Sequence, residues 1–166
     1  MVSVIIETKN DEEALARTLA GLVGGAVEGL VRDVLIVDHG SSDHTSDVAD
    51  AAGCVFLSNG SFADAVRQAR GDWLLLLEPG ARLLEGWAEA VRDHIEVLPG
   101  PARFTRSAIH RPRFLARIFS RNDPLKDGLL ISRQQAAALL KPGYGARDLA
   151  RGLSMRKLKA EIVMVR

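Results

Sequence analysis

The chain has 166 residues, 47% of them hydrophobic and 26% charged, enough to fill one globular domain and too few for two. Its single cysteine, Cys54, excludes an internal disulfide and any multi-cysteine zinc site, and it fits a reducing compartment, with the cytoplasm as the expected location. The net charge of +1 hides an asymmetry: residues 1–100 hold 7 Lys/Arg against 17 Asp/Glu, whereas residues 101–166 hold 15 against 4.

The opening "MVSVIIETKN" has no basic leader, and no stretch of the chain approaches the ~20 apolar residues of a membrane span, so a soluble protein is expected. "VSVII" reads as a buried strand. Asn10 can cap the helix that follows, with Asp11, Glu12 and Glu13 at its positive end and Leu15, Leu19, Leu22 and Val23 as its apolar stripe. "VLIV" (34–37) is a second strand, after which Ser42 or Asp43 can cap a helix that Gly53 ends. "CVFL" is a short third strand. Ser61 opens another helix with Phe62, Val66 and Ala69 on one face, and "DWLLLLE" is the fourth strand. Continuous apolar strands separated by amphipathic helices predict a parallel sheet covered on both faces, an α/β fold.

The second part is less regular. "LEGWAEAVRDHIEVL" carries Trp87, Val91, Ile95 and Leu98 at helical spacing, and "PGP" then breaks the chain, marking a boundary near Pro99. Between Val97 and Asn122 come Arg103, Arg106, Arg111, Arg113, Arg117 and Arg121 with no acid. Such a segment can attract phosphates, an anionic membrane surface, or the acidic first half. Residues 103–121 are therefore a candidate peripheral membrane contact, although Phe114, Leu115, Ile118 and Phe119 make a short apolar face suited first to packing on the domain and second to lying on a membrane surface. Further on, "GLLIS" reads as a strand, "RQQAAALL" and "RDLARGLSMRKL" as helices, and "EIVMV" as a closing strand.

In an open parallel sheet, ligands sit beyond the carboxyl ends of the strands. The residues leaving those ends are Glu7 to Asn10, Asp38 to Ser42, and Glu78 to Gly80. Carboxylates there suit the hydroxyls and ring N–H groups of a nucleoside better than a phosphate. With no G-x-G-x-x-G after strand one and no G-x-x-x-x-G-K-[ST], neither a dinucleotide site nor a phosphate-cradling loop is supported.

The stretches "VSVIIETKNDEEALARTLAGL", "VLIVDHGSSDHTSDVA" and "ARGDWLLLLEPGARLLEGW", in that order and spacing, resemble the nucleotide-binding half of family 2 glycosyltransferases. That family's pattern is a strand ending in Pro-Thr-x-Asn-Glu, a strand ending in Asp-Asp-Gly-Ser-x-Asp-Gly-Thr, and Arg-Gly-Asp, a strand, then Asp-Ala-Asp. The resemblance implies a single-domain GT-A fold, a Rossmann-like, mostly parallel sheet sandwiched by helices. Residues 1–98 would be the nucleotide-sugar-binding half and residues 99–166 the basic acceptor-side half. It implies that Thr8, Asn10 and Asp11 line the base and ribose pocket, that Asp38 contacts the nucleobase, and that Asp148, on a segment similar to the family's Glu-Asp helix, is the catalytic base. Asp127 is the runner-up.

The departures from the pattern fall at the chemistry. Glu7 replaces proline, Lys9 an aromatic or aliphatic residue, His39 the second aspartate, His44 a glycine, and Arg147 the glutamate before Asp148. Glu78-Pro79-Gly80 stands where Asp-Ala-Asp is expected, so Glu78 keeps a carboxylate for a ribose or cation while Gly80 loses the one that helps hold Mg²⁺ or Mn²⁺. No metal site and weak or absent Mg/Mn dependence are expected, with arginines such as Arg82 taking the diphosphate instead. The implied partner is a nucleoside diphosphate sugar, and no nucleic acid is expected. Two readings follow: a sugar transferase acting by direct displacement without a normal metal site, or a catalytically inactive nucleotide-binding or regulatory protein of the same fold. A methyltransferase or nicotinamide enzyme is disfavoured by the missing glycine motif.

Overall fold

A computed structural model describes residues 1–97, 99–107 and 123–165. Four of the six arginines of the basic stretch, and its apolar face at 114–119, lie outside the described residues. The elements run β1 (Val2–Thr8), α1 (Glu12–Val27), β2 (Val31–Asp38), α2 (Thr45–Ala51), β3 (Val55–Ser58), α3 (Phe62–Gln68), β4 (Trp73–Leu77), β5 (Ala81–Leu83), α4 (Trp87–Val97) and β6 (Ala102–Arg106). After a 3₁₀ turn at Pro124–Asp127 come β7 (Leu129–Ser132), α5 (Arg133–Leu139), α6 (Ala146–Ala150) and β8 (Arg156–Met164).

One eight-stranded sheet has the order β3-β2-β1-β4-β7-β6-β8-β5. The four strands β1 to β4 are parallel, as the apolar runs require. From β4 onward the sheet is mixed: β7 is antiparallel to β4 and to β6, β8 is parallel to β6, and β5 is antiparallel to β8.

The four leucines of β4 explain why these strands are continuous rather than alternating. Leu75 and Leu77 face a core built with Leu15, Leu19 and Leu22 of α1 and Trp87 and Val91 of α4. Leu74 and Leu76 face the opposite core, built with Phe62 and Val66 of α3, Ala136 of α5 and Leu149 of α6. All four are at most 1% exposed. Burial on both faces favours apolar residues at every position of β4, and each such side chain contributes about 1.5–3 kcal/mol.

Several sequence expectations shift. Val23 does not join the α1 stripe but is 58% exposed. Asp11, not Asn10, stands at the N-cap of α1 and makes no side-chain cap bond, while Asn10 takes φ +54°. Ser61 does cap α3, in a reciprocal pair with Asp64. The helix expected over 147–158 ends at Ala150, and the chain turns at Gly152 with φ +78°. From Arg156 it is strand, because buried Leu158, Ala160 and Ile162 alternate with the more exposed Lys157, Lys159 and Glu161, a period of two rather than 3.6. β5 and β6, short and flanked by turns, have no counterpart in the sequence reading.

Among the described residues no helix is long and apolar enough to cross a membrane. Arg103 and Arg106, the described part of the basic stretch, both pair with Asp127, which is only 8% exposed.

Candidate functional site

The chain leaves β4 through a turn that its sequence dictates. Ala81 N–H donates to the Glu78 carbonyl at 3.1 Å, with Pro79 and Gly80 between them and Gly80 at φ +89°. This is the type II arrangement, in which proline supplies the second residue's φ and glycine tolerates the third's. Gly80 is then locked from three sides: its N–H meets the Ala14 carbonyl at 3.1 Å and Thr18 Oγ1 at 2.9 Å, and its carbonyl accepts from Val165 N–H at 2.8 Å. A Cβ at this position would lie 2.6 Å from the Val165 carbonyl oxygen.

Beyond this turn lies a cleft of about 360 Å³ whose wall includes Glu7, Thr8, Asp11, Glu78, Arg147 and Asp148. Of the seven residues singled out from the sequence, Thr8, Asp11, Glu78 and Asp148 thus meet in one cavity, although Asp148 is 140 residues from Thr8 in the chain. Asn10, Asp38 and Arg82 do not line it. Asn10 and Asp38 organise the rim. Asp38, 5% exposed, accepts from the N–H groups of Gly40 (3.0 Å) and Ser41 (2.9 Å) and from Ser41 Oγ (2.5 Å). Asn10 accepts from Ser42 N–H at 2.7 Å and its own N–H donates to Ser41 Oγ at 2.8 Å. Arg82 is exposed on β5, opposite Val163 of β8 and beside Gly21 of α1.

Four of the residues that depart from the expected pattern turn out to be one another's partners. Glu7 Oε1 lies 3.1 Å from His39 Nε2, and Glu7 Oε2 accepts the Ala146 N–H at 2.7 Å, tying the end of β1 to the start of α6. Gly145 leaves room for this, since a Cβ there would come within 3.0 Å of the same carboxylate. Arg147 reaches across to Glu78, with Nη2 at 2.6 Å and Nε at 2.8 Å from Oε1, and its Nε lies 3.0 Å from Asp123 Oδ2. Glu7, His39, Asp123 and Arg147 were not chosen as site residues from the sequence. The signal that could have found them was their coincidence: opposite charges substituted at separate motifs that the fold brings together.

Asp148 is not paired with its neighbour Arg147. Its Oδ2 accepts the Gly145 N–H at 3.2 Å, its Oδ1 lies 3.4 Å from Arg151, and 40% of its side chain is exposed. Asp127, by contrast, is consumed by Arg103 and Arg106.

Burial pushes the Glu78 carboxyl above its ordinary value of 4.5, Arg147 pulls it back in part, and Asp123 adds to the rise. Because the folded-state value is raised, the folded protein holds this proton more tightly than the unfolded chain. The associated stability is fully present below about pH 4.5 and is lost as pH rises through the raised value. Replacing Arg147 by Gln removes the downward pull, so the loss should move to higher pH. Thermal unfolding of parent and Arg147→Gln from about pH 4 to pH 8 checks this; parallel profiles would detach Glu78 from Arg147.

Thr8, Asp11 and the carboxylates around them line the cleft with groups of a kind that pairs with hydroxyls and ring N–H groups. Among the described residues, no three His, Cys, Asp or Glu side chains are grouped to hold a metal ion. Glu78 is committed to Arg147, and Gly80 has neither a side chain nor room for one, so these residues do not fit a divalent ion at the end of β4.

A family model described as glycosyl transferase family 2 matches residues 3–99. A TPR repeat-containing protein of Synechococcus elongatus is 33% identical over 97 residues, which are 53% of this chain and 23% of that protein, so the chain spans about a quarter of that relative's length. Among solved structures, glucosyl-3-phosphoglycerate synthase from Mycobacterium tuberculosis, in complex with Mn²⁺, uridine diphosphate and glucosyl-3-phosphoglycerate, is similar over 100% of this chain and 72% of its own (TM-score 0.65, 17% identity). A mannosyltransferase from Pyrobaculum calidifontis, in complex with GDP-Man and Mn²⁺, is similar over 89% of this chain and 49% of its own (TM-score 0.64, 17% identity). At these identities the likeness establishes the fold, an α/β single domain of the GT-A type.

Proposed function

The chain belongs to glycosyl transferase family 2, and on that premise we propose that it binds a nucleoside diphosphate sugar in the cleft beyond β1 and β4 and transfers the sugar to an acceptor by direct displacement. The observation that carries this reading is the convergence of Thr8, Asp11, Glu78 and Asp148 on one cavity. Thr8 and Asp11 meet the nucleoside. Asp148 takes the acceptor proton: it is the half-exposed carboxylate of the cleft, held by a single backbone N–H and a long contact to Arg151. The similar structures that hold uridine diphosphate or GDP-Man support the substrate class.

Thermal shift tests it. Uridine or guanosine diphosphate, or their sugars, at 100 times the dissociation constant should stabilise the protein by ~2.7 kcal/mol. No stabilisation by any common nucleotide would sink the reading.

A second reading has its own observation. Arg147 occupies Glu78, and the turn at Gly80 is bonded to Val165 just past the end of β8, which suits a protein that keeps the nucleotide cleft and has lost transfer. Nucleotide binding without sugar transfer or hydrolysis would favour it.

A further inference from the structure

We propose that the Arg147 guanidinium is the resident cation of this cleft, held between the Glu78 and Asp123 carboxylates at the end of β4, and that it is the group presented to a diphosphate. Its role toward a diphosphate rests on the nucleotide-sugar reading above; its standing as the cation between two acids does not.

Three observations lead there. First, the turn after β4 excludes a second strand-end carboxylate, because any Cβ at Gly80 meets the Val165 carbonyl at 2.6 Å. Glu78 alone remains, 7% exposed, and a carboxylate so buried needs a cation against it. Second, the missing second acid is supplied from elsewhere in the chain: Asp123, at the start of the 3₁₀ turn, lies 3.0 Å from the guanidinium that meets Glu78 at 2.6 Å. One planar cation thus spans two carboxylates from separate elements. Third, the pairing uses only Nε and Nη2; among the described residues Nη1 makes no hydrogen bond, and 61% of the Arg147 side chain is exposed on the cleft. A guanidinium in that state can offer paired N–H donors to a phosphoryl group without leaving its acids.

The substitutions read as one exchange. Where Arg147 stands for glutamate and Gly80 for aspartate, two acids have been removed and one base added, which turns a site for a mobile divalent cation into a site for a covalently attached monovalent one.

The test uses Mn²⁺ alone on the full chain, with electron paramagnetic resonance reading free ion. The parent should show no saturable binding. Arg147→Ala leaves Glu78 and Asp123 facing an empty position and should bind Mn²⁺ at least tenfold more tightly than the parent; adding Glu78→Gln should abolish the gain. Arg147→Lys, which keeps a charge, should stay without Mn²⁺. If Arg147→Ala does not fold, as judged by circular dichroism, Arg147→Gln is read by the same criterion. Saturable Mn²⁺ binding by the parent that Glu78→Gln removes, or no gain in either uncharged variant, overturns the proposal. A parallel arm measures uridine diphosphate with and without EDTA. The parent's affinity should change less than threefold, and that of the uncharged variant should fall at least tenfold without Mn²⁺ and recover with it. Equal EDTA sensitivity in both overturns the role toward the diphosphate. Absence of nucleotide binding by the parent removes the nucleotide reading and leaves the metal-alone result to stand by itself.

Discussion

Gly80→Asp destabilises the protein by about 3 kcal/mol and creates no metal site. Judged from the motif alone, this substitution restores the lost carboxylate and with it metal dependence. The geometry predicts otherwise. Gly80 adopts φ +89°, where an L side chain costs on the order of 1–3 kcal/mol. Its Cβ would stand 2.6 Å from a backbone oxygen of Val165, which cannot move without opening the 2.8 Å bond that holds β8 to the turn. For a domain of this size the loss corresponds to a fall in Tm of about 6–12 °C. Chemical denaturation checks the stability and Mn²⁺ titration the site; a variant as stable as the parent would mean that the turn and β8 separate easily.

Asp148→Asn lowers sugar transfer by about 100-fold and leaves nucleotide affinity unchanged. The substitution is close to isosteric, and the Asn side-chain oxygen can still accept the Gly145 N–H that Asp148 receives at 3.2 Å, so α6 keeps its first turn. What disappears is the capacity to accept a proton, for which ~100-fold is the usual lower scale of a positioned general base. The competing acid Asp127 is spent on Arg103 and Arg106, and the neighbouring Arg147 is spent on Glu78 and Asp123. Turnover with the two substrates, beside nucleotide binding by calorimetry, separates a base from a structural residue. Unchanged turnover assigns the proton transfer elsewhere.

How far the sequence could be read depended on whether its signals were local. β1 and β4 are buried on both faces, and β2 over its last four residues, so their apolar runs and the intervening amphipathic helices marked both strand and layer order. Ser61 was legible as a cap because its partner Asp64 lies three residues on. The mixed half was less legible because its strands are short or one-sided. β5 has only three residues, and the basic alternation of β8 was taken for helix because Ala150 and Arg151 precede it. At the cleft, Thr8, Asp11, Glu78 and Asp148 followed from strand ends and motif order. The Glu7–His39 and Glu78–Arg147–Asp123 pairings could not, since each joins motifs far apart in the chain. A charge substitution at one motif looks like damage until its compensating partner is seen beside it.

The order of strands also bears on how the protein comes into being. β8 lies inside the sheet, between β6 and β5, and Val165 fastens the turn that ends β4. On a ribosome the four parallel strands emerge and can collapse together early. The Gly80 corner, made well before β8, can meet Ala14 and Thr18 at once, but β5 has no strand to join until residues 156–165 are released. Such long-range closure is slow and entropically costly. The corner beside the cleft is therefore fastened by residues made after all of the cleft's strand ends, and a ribosome stalled before β8 carries those strand ends without the segment that pins Gly80.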